Sequence, residues 1–159
     1  PLKLARDRSS SEVAWLHAIN FIESKKIKFD IVLAIQPTSA IRGDKDFDNA
    51  INLFVKKKYD SLFSCSEISD YCVWEINNKK LKSLYDYKNR KPRQLIRKKY
   101  LENGSFFIFN KEKFKIKKNR FFGNVGFYLQ EYYKSFQIDE PEDIHIVESV
   151  LKYKKKFKK

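Results

Sequence analysis

Residues 29–35, FDIVLAI, form a nearly unbroken apolar run that stops abruptly at Gln36-Pro37. Such a run suits a strand covered on both faces better than one with a wet face, so it reads as a central strand. Proline has no N–H to give to a ladder, so the chain must leave the sheet there and enter the polar turn Thr38-Ser39. In open α/β sheets, ligands sit in the crevice beyond the carboxyl ends of the strands. Gln36, Thr38, Ser39 and Arg42 are then best placed to meet one. On spacing alone, the same residues also read as a plain turn and a solvated charge.

The flanking pattern is that of an α/β chain. Ser9-Ser10-Ser11-Glu12 offers a helix cap with an acid behind it, and Val13, Leu16, Ile19 and Phe21-Ile22 follow at helical spacing. After Gly43-Asp44 a second helix is predicted over about 45–58, with Phe47, Ile51, Phe54 and Val55 inward, and then a strand over 61–68. Strand, helix, strand in that order implies a βαβ unit with a parallel pair. From Tyr71 to about Tyr87 the pattern shortens to VWEIN and KLKSLYDY around Asn77-Asn78, as in an antiparallel hairpin inserted in the main sheet. Gly104 opens a further core strand, SFFIFN, and residues 125–129 supply another. Residues 136–139 read as a short strand, with Pro141 at the first position of a last helix whose stripe is Ile144, Val147, Val150 and Leu151.

Length bounds the rest. A chain of 159 residues is one domain's worth and buries a real core. No apolar run approaches the roughly 20 residues that cross a bilayer, and no signal-peptide pattern opens the chain, so no membrane partner and a cytoplasmic location are expected. Cys65 and Cys72 are too few for a disulfide framework and lack zinc-site spacing. The net charge of +14 raises nucleic acid as a partner. Yet the cations are nearly all lysine and spread along the chain, while arginine is the usual fork for phosphates and base edges. Nucleic acid is therefore the minor reading, and the terminal KYKKKFKK reads as a solvated helix tail.

Five segments together carry a resemblance. IQPTSAIR at 35–42 resembles the LQPTSPLR segment of the acylneuraminate cytidylyltransferases, the CMP-sialic acid synthetases and their relatives for other nonulosonic acids. The opening LARDRSSSEVAWLHAI is similar to the family's L-A-x-D-x-S-S stretch, with Asp7, Ser10, Ser11 and His17 on matching positions. Pro92-Arg93-Gln94, followed by Tyr100 and Asn103-Gly104, is similar to its P-R-Q segment leading into N-G-x-x-Y. Ile138-Asp139 and Pro141-Glu142-Asp143 match its D-I-D-x-P-E-D segment, and Phe121-Phe122 resembles the aromatic pair that closes its sugar pocket.

The resemblance implies an α/β, Rossmann-like nucleotidyltransferase of the nucleotide-diphospho-sugar transferase type. That fold is a three-layer sandwich, here lacking the family's amino-terminal nucleotide-binding segment and carrying a small dimerisation subdomain at about 71–99. It implies transfer of CMP from CTP to a nonulosonic acid, with pyrophosphate released and Mg²⁺ as cofactor, and a homodimer. It assigns nucleotide contact to Ser10, Ser11 and Gln36, and substrate contact to Arg93, Gln94, Asn103, Phe107 and Phe121. Catalytic roles fall to Asp139 and Arg93, and metal ligation to Asp139 and Gln137.

The residues also admit plainer readings: helix capping for Ser10, Ser11 and Asp139, one cation among many for Arg93, a turn amide for Asn103. Asp7 and His17 read as structural, His17 by packing. The chain departs from the family at two places. Position 137 is Gln where the family has Asp, which removes one negative charge, and the N-G tyrosine falls on Phe107, which keeps the ring without its hydroxyl. Without the glycine- and lysine-bearing segment that cradles the triphosphate, the isolated chain is expected to be inactive or nearly so. A non-catalytic dimerising remnant is the alternative.

Overall fold

The computed structural model describes residues 1, 4, 9–68 and 72–157, with the side chains of 154–157 excepted. Asp7, and Tyr71 at the start of the expected insertion, lie outside the described residues. The main sheet has four strands: β1 (Ile31–Ile35), β2 (Ser61–Ile68), β5 (Lys99–Asn110) and β6 (Val125–Gln130), in the spatial order β1-β5-β2-β6. β5 runs antiparallel to both β1 and β2, and β2 runs parallel to β6. Helices α1 (Ser11–Ser24) and α3 (Lys111–Lys117) pack on one face and α2 (Asp46–Lys57) on the other, while α4 (Asp143–Phe157) closes the chain.

The core follows from the alternation of β5. Phe106, Phe107, Ile108 and Phe109 are all fully buried because successive side chains point to opposite faces and both faces are covered. Phe107 and Phe109 meet Trp15, Ile19 and Phe114 on one side, while Phe106 and Ile108 meet Ala50, Phe54 and Leu62 on the other. Each such side chain contributes roughly 1.5–3 kcal/mol by leaving water. Three helix ends turn left-handed on lysine, at Lys26, Lys58 and Lys118, in a chain with only four glycines.

Several sequence expectations are corrected here. β1 is an edge strand among the described residues, not a central one, and β5 lies between it and β2, so the βαβ unit skips a strand. β5 starts five residues before Gly104. Residues 136–139 form no strand, although the Ile138 amide bonds to the Thr38 carbonyl. α4 begins at Asp143, after Pro141, and of its expected stripe only Val147 is buried, Ile144 and Leu151 being exposed. Val55 points to solvent, because Ala50 and Phe54 take the inner face of α2. Ser10 occupies the cap position of α1 but makes no side-chain capping bond, and His17 is exposed and not packed. The hairpin, β3 (Trp74–Asn77) with β4 (Lys80–Ser83), forms its own two-stranded sheet instead of joining the main one. Its turn is Asn78-Lys79, both at positive φ, as a two-residue type I′ turn requires.

The edge position of β1 has a checkable consequence. The Gln36 amide donates to the Ser105 carbonyl and the Lys111 amide to that of Asp30, which fixes the even-numbered residues as those bonded to β5. The N–H and C=O groups of Ile31, Leu33 and Ile35 therefore face outward, beside an apolar groove of about 490 Å³ walled by Trp15, Ala18 and Ile22 of α1. Amide hydrogen exchange in this chain is expected to be fast at Leu33 and Ile35 and slow at Val32 and Ala34. Uniform protection along β1 would contradict the register.

Candidate functional site

The carboxyl end of β1 meets three other segments. Gln36 ends the strand, Thr38 and Ser39 form the turn, and the 136–139 segment lies against them through an Ile138 amide bond to the Thr38 carbonyl. Gly104 sits between at φ +63°, where a Cβ would lie 2.6 Å from Gln36 Oε1 and 3.0 Å from Gln137 Nε2. Glycine is required there both for its left-handed backbone and for the approach of the two amides. Gln137 donates through Nε2 to the Asn103 carbonyl (3.0 Å) and accepts from Thr38 Oγ1 (3.3 Å). Among the described residues the half-buried Gln36 carboxamide has no such protein partner.

Beneath this surface lies a buried polar chain. Asn103, 1% exposed, uses its whole amide: Nδ2 donates to Ser66 Oγ and Gln130 Oε1, and Oδ1 accepts from Ser64 Oγ and the Ser105 amide. Gln130 passes the polarity on, donating to Asp46 Oδ2 (2.8 Å). Asp46 in turn holds Lys134 Nζ at 3.0 Å, and the lysine is itself 4% exposed. Burial alone would raise the Asp46 carboxyl. The Gly43 amide, Lys134 and Gln130 outweigh it and hold the group below the usual carboxylate range. Burial would likewise depress Lys134, but Glu131 and Asp46 raise it.

The expected site residues divide accordingly. Gln36, Gln137 and Asn103 are brought together around Gly104. Asn103 lies under the site, with its amide committed to protein partners. Arg42 acts as a staple: its guanidinium donates to the Gln36 carbonyl (2.6 Å) and to Ser105 O and Oγ, and burial lowers its pKa. Ser39 is fully buried, with Oγ toward the Asn103 carbonyl. Phe107 is core, against Trp15, while Phe121 is part-exposed and packs edge-on to Phe63 and Phe107. Ser10 and Ser11 stand at the start of α1, where Ser10 bonds to Glu12 and Glu12 pairs with Arg120 at 2.6 Å.

Arg93 and Gln94 lie apart from this cluster. They line a polar pocket of about 430 Å³ with Glu67, Ile68, Ile96, Arg97 and Lys98, beyond the carboxyl end of β2. Lys98 is held by Glu67 at 2.9 Å. Asp139 is exposed, and its backbone amide donates to Asp143 Oδ2, which also takes the Glu140 amide. The acid that closes the turn into α4 is therefore Asp143, the first residue of the helix, and Asp139 supplies only its backbone amide.

Sequence reasoning missed the Asp46–Lys134 and Glu12–Arg120 pairs, because partners that distant leave no local pattern. It also left the second cationic fork, Arg97, unassigned; its place in the basic segment was the only signal. Cys65 is buried and its thiol pushed up to about 11 by desolvation, so it is no nucleophile.

A protein-held Mg²⁺ does not fit this donor set. Mg²⁺ takes octahedral oxygen ligation, and without substrate phosphates the protein's share of it is usually one or two carboxylates with waters in the remaining positions. Here the Gln137 amide is engaged on both sides, Asp143 Oδ2 takes two backbone amides, and no grouping of three His, Cys, Asp or Glu among the described residues is placed to hold a metal. No step below is routed through one.

The mixed four-stranded sheet with helices on both faces is an α/β, Rossmann-like fold. A solved structure with this fold is the 4-diphosphocytidyl-2C-methyl-D-erythritol synthase from Anaerococcus prevotii DSM 20548, at a TM-score of 0.60 and 14% identity over 91% of this chain. The chain spans 65% of that structure's length. No protein-family profile and no curated protein sequence matches the chain. Among the described residues no helix is long and apolar enough to cross a membrane.

Proposed function

We propose that the chain belongs to a cytidylyltransferase that moves CMP from CTP to a nonulosonic acid, such as a sialic or legionaminic acid, for surface-glycan synthesis. The anomeric hydroxyl of the acid attacks the α-phosphorus, its oxygen forms the new ester bond, and the bond to the β-phosphate oxygen breaks to release pyrophosphate. The observation that carries this reading is the pairing of a cytidylyltransferase-type fold with a cationic pocket at the ligand end of the sheet. Two guanidiniums, Arg93 and Arg97, line that pocket, and planar forks suit the carboxylate such a sugar carries. Gln36 is the residue offered to the nucleotide. Catalysis of this kind rests on positioning and charge placement.

The test, run on the full-length protein, is stabilisation by CTP together with pyrophosphate release from CTP and a panel of nonulosonic acids, with a 2C-methyl-D-erythritol acceptor as the competitor. Losing a hydrogen bond to a charged group costs about 1.5–3 kcal/mol. Arg93→Ala is therefore expected to lower kcat/KM for the acid roughly 10–150-fold, mostly through KM, with CTP binding retained. A folded full-length protein indifferent to CTP and silent with every acid would sink the enzyme reading and favour a non-catalytic remnant.

A homodimer belongs to the same proposal. The hairpin places Trp74, Ile76 and Leu81 on one face, with Ile76 79% exposed, while Glu75 and Lys82 pair on the other. An isolated two-stranded hairpin is marginal in water, so a partner surface is the economical cover. Light scattering is expected to show twice the chain mass, falling to the single-chain mass in the Ile76→Glu/Leu81→Glu double variant. A wild-type monomer at high concentration would refute it.

A further inference from the structure

We infer that residue 137 is a hydrogen-bonding clasp in place of a metal ligand, so that the chain holds no divalent cation of its own at the 137–139 corner. The polarity of the clasp is fixed by its neighbours. The Asn103 carbonyl accepts only, so the nitrogen of the Gln137 amide must face it, and the amide oxygen is thereby turned to the Thr38 hydroxyl. With the Ile138 amide on the Thr38 carbonyl, three bonds tie the 136–139 segment to the β1 turn and to β5.

To ligate a cation the amide oxygen would have to abandon Thr38 and rotate, and the nitrogen would then lose Asn103. That leaves a part-buried carbonyl short of a donor. Asp139, one exposed carboxylate, offers the cation little in return. A carboxylate at position 137 behaves oppositely. It has no proton for the Asn103 carbonyl, so two acceptors face each other, and a cation between them relieves the repulsion. The Gln at 137 thus exchanges a charged corner that needs a cation for a neutral one that closes by itself.

Mn²⁺, a Mg²⁺ stand-in with a paramagnetic readout, tests this without any nucleotide, so its outcome is separate from that of the CTP experiment. The wild-type chain is expected to show no saturable Mn²⁺ binding at millimolar concentration, and no change of Tm with Mn²⁺ or with chelator. Gln137→Asp is expected to lose Tm without metal, to regain it with Mn²⁺, and to bind the ion roughly tenfold or more tightly than wild type, the scale of changing one ligand-shell group. One-to-one submillimolar binding by the wild type that Asp139→Asn abolishes would overturn the inference. The wild-type titration and Asp139→Asn decide it even where Gln137→Asp fails to fold.

Discussion

Replacing Asp46 by alanine is expected to remove about 3–5 kcal/mol of stability, the cost of leaving one half of a buried ion pair behind. Lys134 would keep its charge with only the exposed Glu131 to answer it, and the Gln130 amide and the Gly43 N–H would each lose an acceptor. A domain has only about 5–15 kcal/mol in total, so a denaturant titration should show a large drop in midpoint, with the slope of the transition preserved. Asp46→Asn separates charge from shape, since the isostere keeps one acceptor oxygen but not the charge.

The pH dependence has a definite sign. Asp46 is held below its unfolded value, so its contribution is present above the ordinary aspartate pKa of about 3.9 and is lost as the pH falls through the lower folded value. Lys134 is raised, so its share is present below the ordinary lysine pKa of about 10.4 and lost as the pH rises through the folded value. The pair's contribution should be flat across neutral pH, and the Asp46→Asn difference should shrink on strong acidification. A difference that grows at low pH would show that the pair is not the source.

Asn103→Ala is the second large effect. It orphans the Ser105 amide and the Gln130 carbonyl, both buried, at about 1–3 kcal/mol each. Asn103→Asp should be little better, because the donor direction along this chain of side chains is set from its far end. Lys134 donates to Asp46, Asp46 accepts from Gln130, and Gln130 must then accept from residue 103. An aspartate there cannot donate, and a flipped Gln130 would present its oxygen to the Asp46 carboxylate. Thermal melts of the two variants test this, and an Asn103→Asp protein of wild-type stability would contradict it. Loss of the 103 geometry also shifts the carbonyl that anchors Gln137 and Ser39, so a stability defect and a ligand defect are expected together.

The local elements were the readable part of the sequence. Ser61–Ile68 is a strand with the bounds its alternation marks, and Asn78 sits in the hairpin turn that asparagines announce. Position in the sheet was not readable. Residues 31–35 are apolar on both faces, and that pattern is the same for an interior strand and for an edge strand flanked by helices. Helix α3 was hidden because KEKFKIK offers one buried residue, Phe114, in a lysine-rich background. At the site, Gln36 and Gly104 carried local signals, a strand end and a glycine. The role of Asn103 did not, because its partners come from β2 and β6 and only the folded chain brings them near.

β5 hydrogen-bonds to both β1 and β2, yet it is the later of the three in the chain. On a ribosome adding roughly 5–20 residues per second, the two earlier strands wait several seconds for the segment that pairs them, with apolar edges open to other chains. Pairings of such long sequence separation also fold slowly once the chain is complete. Yield during expression should therefore depend on temperature and on chaperone supply more than the stability of the finished protein suggests. Within β5, the four buried residues from Phe106 to Phe109 would set the moment of commitment.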